Sequence, residues 1–222
     1  MDNPWKHLSQ SNGEYLLEID RAEIRKFNVG MRRPDCRIVQ QSIPEPFIGS
    51  VGSAKIVLLL LNPGHDESDR QSHRIPEFKV ALFRNLHDEQ QEYAFYPLDP
   101  RFNGTASARW WIPRLRDLEI ESGLTRQELA TRVLALEWFP YHSRRSALPL
   151  RTICPSQEYT FEIAREMLRS KLVIAMRSIR YWAYVDESFS RVPRLQNPRS
   201  CYVSRRNIDS GIFNEMVQTL SH

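Results

Sequence analysis

The sequence predicts a three-layer α/β/α fold around a central, mainly parallel four-stranded sheet. Three observations carry that reading. Three short apolar runs, residues 55–61, 132–139 and 171–176, lack the alternation of a half-exposed strand, as strands covered on both faces do. Stretches with helical spacing of apolar residues separate them, which is the mark of a parallel sheet with crossover helices. Two of the runs stop abruptly, at Asn62-Pro63-Gly64 and at Pro140, where proline and glycine oppose strand continuation.

Each element follows in order. Leu16, Leu17, Ile19 and Ile24 among charges predict a helix over residues 15–27. Residues 31–53 contain Pro34, Pro44, Pro46, Gly49 and Gly52 and read as an irregular wrap leading into the core. The first strand ends at Leu61. Helices are expected over 78–86 and 107–118, the latter stopped at Gly123. The second strand ends at Phe139, and a helix over 156–168 follows Pro155-Ser156. The third strand precedes an edge strand at 193–196, and a terminal helix spans 211–220. The whole reads as one domain, with 1–53 as helix and wrap and 54–222 as core.

Composition narrows the class. Hydrophobic residues are 41% and charged residues 26%, values of an ordinary globular chain that exclude disorder and fibrous repeats. Cys36, Cys154 and Cys201 are scattered, so neither a disulfide framework nor a metal-type cysteine spacing is expected. No cofactor and no metal are expected. The polar N-terminus has no apolar signal segment, and no run is long enough to span a bilayer. A cytoplasmic monomer without membrane contact is the expectation. The formal net charge is +4, and the 31 basic residues are 26 Arg and 5 Lys. Arginine grips phosphate and stacks on bases, so the excess reads either as a nucleic-acid footprint or as composition bias.

In such sheets ligands bind beyond the carboxyl ends of the strands, which selects three loops. The first, Asn62-Pro63-Gly64-His65, offers an amide with fixed donors and acceptors and a sharp turn that exposes peptide N–H groups. The second begins at Glu137, a carboxyl in an apolar strand that needs a partner or a raised pKa. It continues through Tyr141, His142, Ser143, Arg144 and Arg145, with His142 as a candidate general acid or phosphate contact. The third, Asn197-Pro198-Arg199-Ser200, is followed by Arg205 and Arg206 and suits docking on phosphates. Trp110 and Trp111 sit at helical spacing and read as core. Phe102, in a loop with Pro100 and Gly104, is the candidate for stacking on a base.

These three loops, in this order, resemble the uracil-DNA glycosylase superfamily. An apolar strand ending in Asn62-Pro63-Gly64 is similar to the first motif of the mismatch-specific uracil/thymine glycosylases. Asn197-Pro198-Arg199-Ser200 looks like the second motif, with Arg199 where a small residue is usual. Ser107-Ala108-Arg109-Trp110-Trp111 looks like the helix start between them. The resemblance spans residues 54–222. It implies hydrolysis of the N-glycosidic bond of a deaminated or damaged base flipped out of DNA, with water positioned by Asn62; His142, from its place in the second loop, is the other catalytic candidate. It also implies a base pocket framed by Pro63, Gly64 and His65, to which the loops themselves add Phe102, Glu137 and Tyr141 as candidates. By the resemblance Asn197, Pro198, Arg199 and Ser200 would contact DNA, and the basic character of the loops adds Arg205, Arg206, Arg144 and Arg145. Glu137 stands where relatives often place an Asn that reads the base, which marks a divergent member. The alternatives are a non-catalytic nucleic-acid- or nucleotide-binding protein on the same scaffold, and a hydrolase of free nucleotides.

Overall fold

The structure, a computed structural model, describes residues 2–221. A small hairpin, β1 (Gln10–Ser11) and β2 (Glu14–Tyr15), precedes α1 (Glu18–Gly30). The wrap then forms β3 (Phe47–Ile48), followed by β4 (Ile56–Leu60). Four helices lead onward: α2 (Glu67–Ser72), α3 (Pro76–Leu86), α4 (Ala106–Ser122) and α5 (Arg126–Arg132). After β5 (Val133–Glu137) come α6 (Gln157–Ser170) and β6 (Leu172–Ala175). The chain closes with α7 (Ile179–Val185) and α8 (Ser210–Ser221). None of these helices is long and apolar enough to cross a membrane.

The fold is α/β with a mixed, mostly parallel four-stranded sheet. Strand order is β3-β5-β4-β6: β4 pairs parallel with β5 and β6, and β3 pairs antiparallel with β5. Every residue of β4 and β5 is buried, so both faces of the sheet centre are covered. Helix α6 packs on β5 and β6, and α8 packs on β4 and α4.

Local chemistry explains the helix ends. The Asp66 carboxylate accepts from Ser68 N and Asp69 N, and the Asp69 carboxylate accepts from Asp66 N, which caps α2 reciprocally. Thr125 and Glu128 do the same for α5. Helix α4 starts on Thr105 and stops at Gly123, whose φ of 67° is left-handed.

The fourth strand differs from the sequence expectation. Residues 193–196 make only an isolated bridge, Ala175 to Arg194, with prolines at 193 and 198 to interrupt a ladder. The fourth strand is β3 instead, from the segment that reads as an irregular wrap. Two residues suffice because Pro46 O and the β3 pairs complete the edge of β5. Gly49 allows the approach: its φ is 111°, and a Cβ there would lie 2.4 Å from Val133 O. Helix α1 begins three residues later than the apolar pattern suggests, at Glu18.

Residues 2–53 share one hydrophobic cluster with the rest, through Trp5, Leu16, Ile24, Ile43 and Phe47. A buried polar link fastens α1: Asp20 accepts from Tyr141 Oη at 2.7 Å and from Ser156 N at 3.0 Å. The wrap thereby also delivers Ser42, Ile43 and Glu45 to the loops beyond the sheet.

Candidate active site

A cavity of about 710 Å³ opens at the carboxyl ends of β4, β5 and β6. Its position follows from strand order. The connection from β4 runs to β5 on one side, and the connection from β5 crosses to β6 on the other, which leaves a crevice at the strand ends. Register sets its floor, because Leu60 pairs with Glu137, so Asn62 emerges two residues beyond that pair.

Asn62 lines the cavity. Its Nδ2 donates to Pro63 O at 3.0 Å and to Ser143 Oγ at 2.9 Å. A backbone carbonyl only accepts, so this contact fixes which amide atom is nitrogen. Oδ1 accepts nothing among the described residues and is available to a ligand or water. Pro63, Gly64 and His65 also line the cavity.

Glu137 is the exceptional group. It is 5% exposed, lines the cavity, and its Oε2 has no hydrogen-bond partner. Strand alternation places it opposite Trp138, which packs on Phe161 of α6. Burial pushes its carboxyl up to about 8; Arg177 opposes this and Glu45 adds to it. At neutral pH it is a protonated acid, able to donate one hydrogen bond and accept another.

A second cluster forms one wall. Both ring nitrogens of His142 meet backbone carbonyls: Nδ1 lies 2.7 Å from Gly64 O and Nε2 lies 2.9 Å from Ile43 O. Glu45 Oε1 is 3.8 Å from the same Nε2. Burial raises the Glu45 carboxyl, with His142 opposing and Asp69 reinforcing. His73 stands edge-on to His142, ring centroids 5.7 Å apart, and burial first, then His142, lowers it to about 3. His65 is lowered by burial and by His142, and its Nδ1 meets Ser42 Oγ at 3.1 Å. The ligating atoms of Glu45, His73 and His142 lie within 4.8 Å of one another. No sequence spacing announces such a donor set, because the three residues come from three separate segments.

Helix α4 supplies the opposite wall with Arg109, Trp110, Trp111 and Arg114. Arg114 stacks on Trp110 at 4.0 Å, with Arg177 at 5.8 Å from the same ring. Trp111 is buried against Phe95 as the helical spacing suggests. Trp110 instead presents a half-buried ring to the cavity. The i, i+4 spacing of Trp110 and Arg114 is the signal that marks this stack in the sequence.

Other expected residues lie elsewhere. Tyr141 is fully buried and donates to Asp20, so it docks α1 and does not line the cavity. Phe102 is buried against Phe78, centroids 5.2 Å apart, because the short turn at 100–102 folds it inward. It has no face free for a base. Asn197, Pro198, Arg199 and Ser200 form a separate turn, held by Asn207 Nδ2, which donates to Asn197 O, Ser200 Oγ and Tyr202 O. Pro198 borders a neighbouring cavity of about 550 Å³, and Arg177 lines both.

The expected arginines scatter. Arg144 lines the main cavity. Arg145 pairs with Asp35 at 3.3 Å, and Arg205 pairs with Glu121. Arg199 and Arg206 are exposed away from the cavity lining. The arginines gathered at the cavity are Arg109, Arg114, Arg144 and Arg177. Sequence reasoning missed three of them, because α4 and the turn after β6 meet only in three dimensions. Comparison with family models, with curated proteins and with solved structures finds no match to this chain.

Proposed function

We propose that the cavity hydrolyses the N-glycosidic bond of a nucleobase flipped out of DNA, as the resemblance to uracil-DNA glycosylases implies. One observation carries the reading. A buried, protonated, unpartnered Glu137 and the open Oδ1 of Asn62 line one cavity at the strand ends.

The chemistry suits those groups. Glycosidic cleavage passes through an oxocarbenium-like sugar, so the demands are a held water, a stabilised leaving base and an extruded nucleotide. Asn62 Oδ1 accepts a hydrogen bond from the attacking water and so orients it. Glu137 donates its proton to the departing base, neutralising the charge that develops there, and the proton the water loses as its bond to the sugar carbon forms restores the Glu137 carboxyl. Trp110 supplies a ring on which the base stacks. Arg109, Arg144 and Arg177 take the flanking phosphates in place of Arg145 and Arg205, which hold carboxylates. A volume of about 710 Å³ falls within the range of small-ligand pockets and admits a nucleotide.

The test is a cleavage screen over single- and double-stranded oligonucleotides carrying uracil, hypoxanthine and other modified bases. An abasic product is expected, reduced at least ~100-fold in Asn62→Ala with binding retained. Equal cleavage by the variant would remove Asn62 from the mechanism. One observation favours the non-catalytic reading: the Asn197–Ser200 turn borders a different cavity. Salt-dependent DNA binding without turnover on any base would establish that reading instead.

A further inference from the structure

We propose that Glu45, His73 and His142 form a binding site for a borderline divalent cation of the zinc type. The inference is separate from the glycosylase reading, since it concerns the wall of the cavity and not what the cavity cleaves.

Three observations converge. The first is geometric. The wrap before β3, the end of α2 and the loop after β5 bring three ligating atoms within 4.8 Å of one another. Zinc bonds of about 2.0–2.1 Å to nitrogen and oxygen place neighbouring ligands roughly 3.4 Å apart. Loading therefore draws the side chains together by up to roughly 1.4 Å, a rotamer-scale adjustment.

The second is availability. The His73 ring makes no hydrogen bond among the described residues, and it stands edge-on to His142 with ring centroids 5.7 Å apart. The Glu45 carboxyl is 9% exposed, and its Oε1 lies 3.8 Å from His142 Nε2. A carboxylate oxygen beside two imidazoles completes a nitrogen- and oxygen-donor set of the kind zinc takes.

The third is the environment of His142. A neutral imidazole donates from one nitrogen only, yet both of its nitrogens face carbonyl oxygens. Nδ1–H on Gly64 O is the arrangement that orients a metal-binding histidine and leaves Nε2 as the ligand atom. Nε2 beside Ile43 O then holds either a second proton or a metal ion. In the second case Ile43 O becomes an additional oxygen ligand, and the metal displaces the proton. Two imidazoles, a carboxylate and a carbonyl suit zinc, cobalt or iron(II). They are too nitrogen-rich for calcium or magnesium and too poor in sulfur for copper(I).

The experiment uses the tag-free full-length chain, stripped with chelator, dialysed and titrated with zinc sulfate by calorimetry. One zinc per chain is expected, with a Kd on the order of 1 μM or tighter. His73→Ala and Glu45→Gln should each weaken it at least ~10-fold. Circular dichroism in chelator checks that the variants fold. If a variant does not fold, cobalt(II) on the unaltered chain decides, through the visible ligand-field band of a nitrogen- and oxygen-bound ion. No zinc binding up to about 1 mM, no cobalt band, or binding unweakened in both folded variants overturns the proposal.

Discussion

Replacing Glu137 by glutamine keeps the shape of the side chain and removes its titration. The folded-state carboxyl titrates at about 8, against an ordinary value of 4.5. Between those pH values the folded chain holds a proton that the unfolded chain has released. Stability therefore falls as pH rises through that window, at about 1.4 kcal/mol per pH unit. Below it both states are protonated, and above it both are ionised, so the dependence is confined to it. Summed over the window, the penalty is roughly 5 kcal/mol, an upper bound because water entering the cavity would relieve it. That is a large part of the roughly 5–15 kcal/mol typical of a folded domain. An amide in place of the carboxyl cannot ionise and escapes the penalty. The assay is urea unfolding of the parent and Glu137→Gln, in chelator, at pH 5, 6, 7 and 8. The variant should match the parent near pH 5 and be more stable by several kcal/mol at pH 8. Parallel stability curves across that range would show that Glu137 is ionised and paired in the folded protein, and the donor role assigned to it would fall.

Three further outcomes follow from the packing. Tyr141→Phe deprives buried Asp20 of a donor and Leu17 N of an acceptor; urea unfolding should show a loss of about 1–3 kcal/mol with ligand binding at the cavity unchanged, and a weakened ligand would place Tyr141 in the site after all. Gly49→Ala forces a Cβ against Val133 O at a φ of 111° and should cost about 3 kcal/mol, whereas a neutral effect in thermal unfolding would contradict the close approach of β3 to β5. Trp110→Ala should weaken single-stranded oligonucleotide binding by about 1–3 kcal/mol in fluorescence anisotropy. Phe102→Leu should leave that binding untouched, and the reverse pattern would return the stacking role to Phe102.

Much of the fold is legible in the sequence because the signals are local. A run such as Ile56–Leu60 without alternation is a buried strand wherever it sits. Asn62-Pro63-Gly64 ends that strand by backbone chemistry alone, and Gly123 stops α4 for the same kind of reason. The candidate site is half legible on the same terms. Asn62, Glu137 and His142 stand at the ends of readable strands, so their arrival at one cavity follows from the general rule for parallel sheets. Strand β3 is not legible, because two residues between Pro46 and Gly49 carry no period, and only pairing with β5 makes them a strand.

The sequence by itself determined the alternation of buried strands and helices and the three loops in which to look for chemistry. Tertiary structure decided which side chains occupy the cavity. It turned Tyr141 inward to Asp20 and Phe102 onto Phe78, brought Trp110 and Arg177 to the wall, and gathered Glu45, His73 and His142 from segments far apart. The physical reason is that strand and helix signals arise within a few residues. The direction of a loop side chain, and the meeting of distant segments, are set by packing across the whole core.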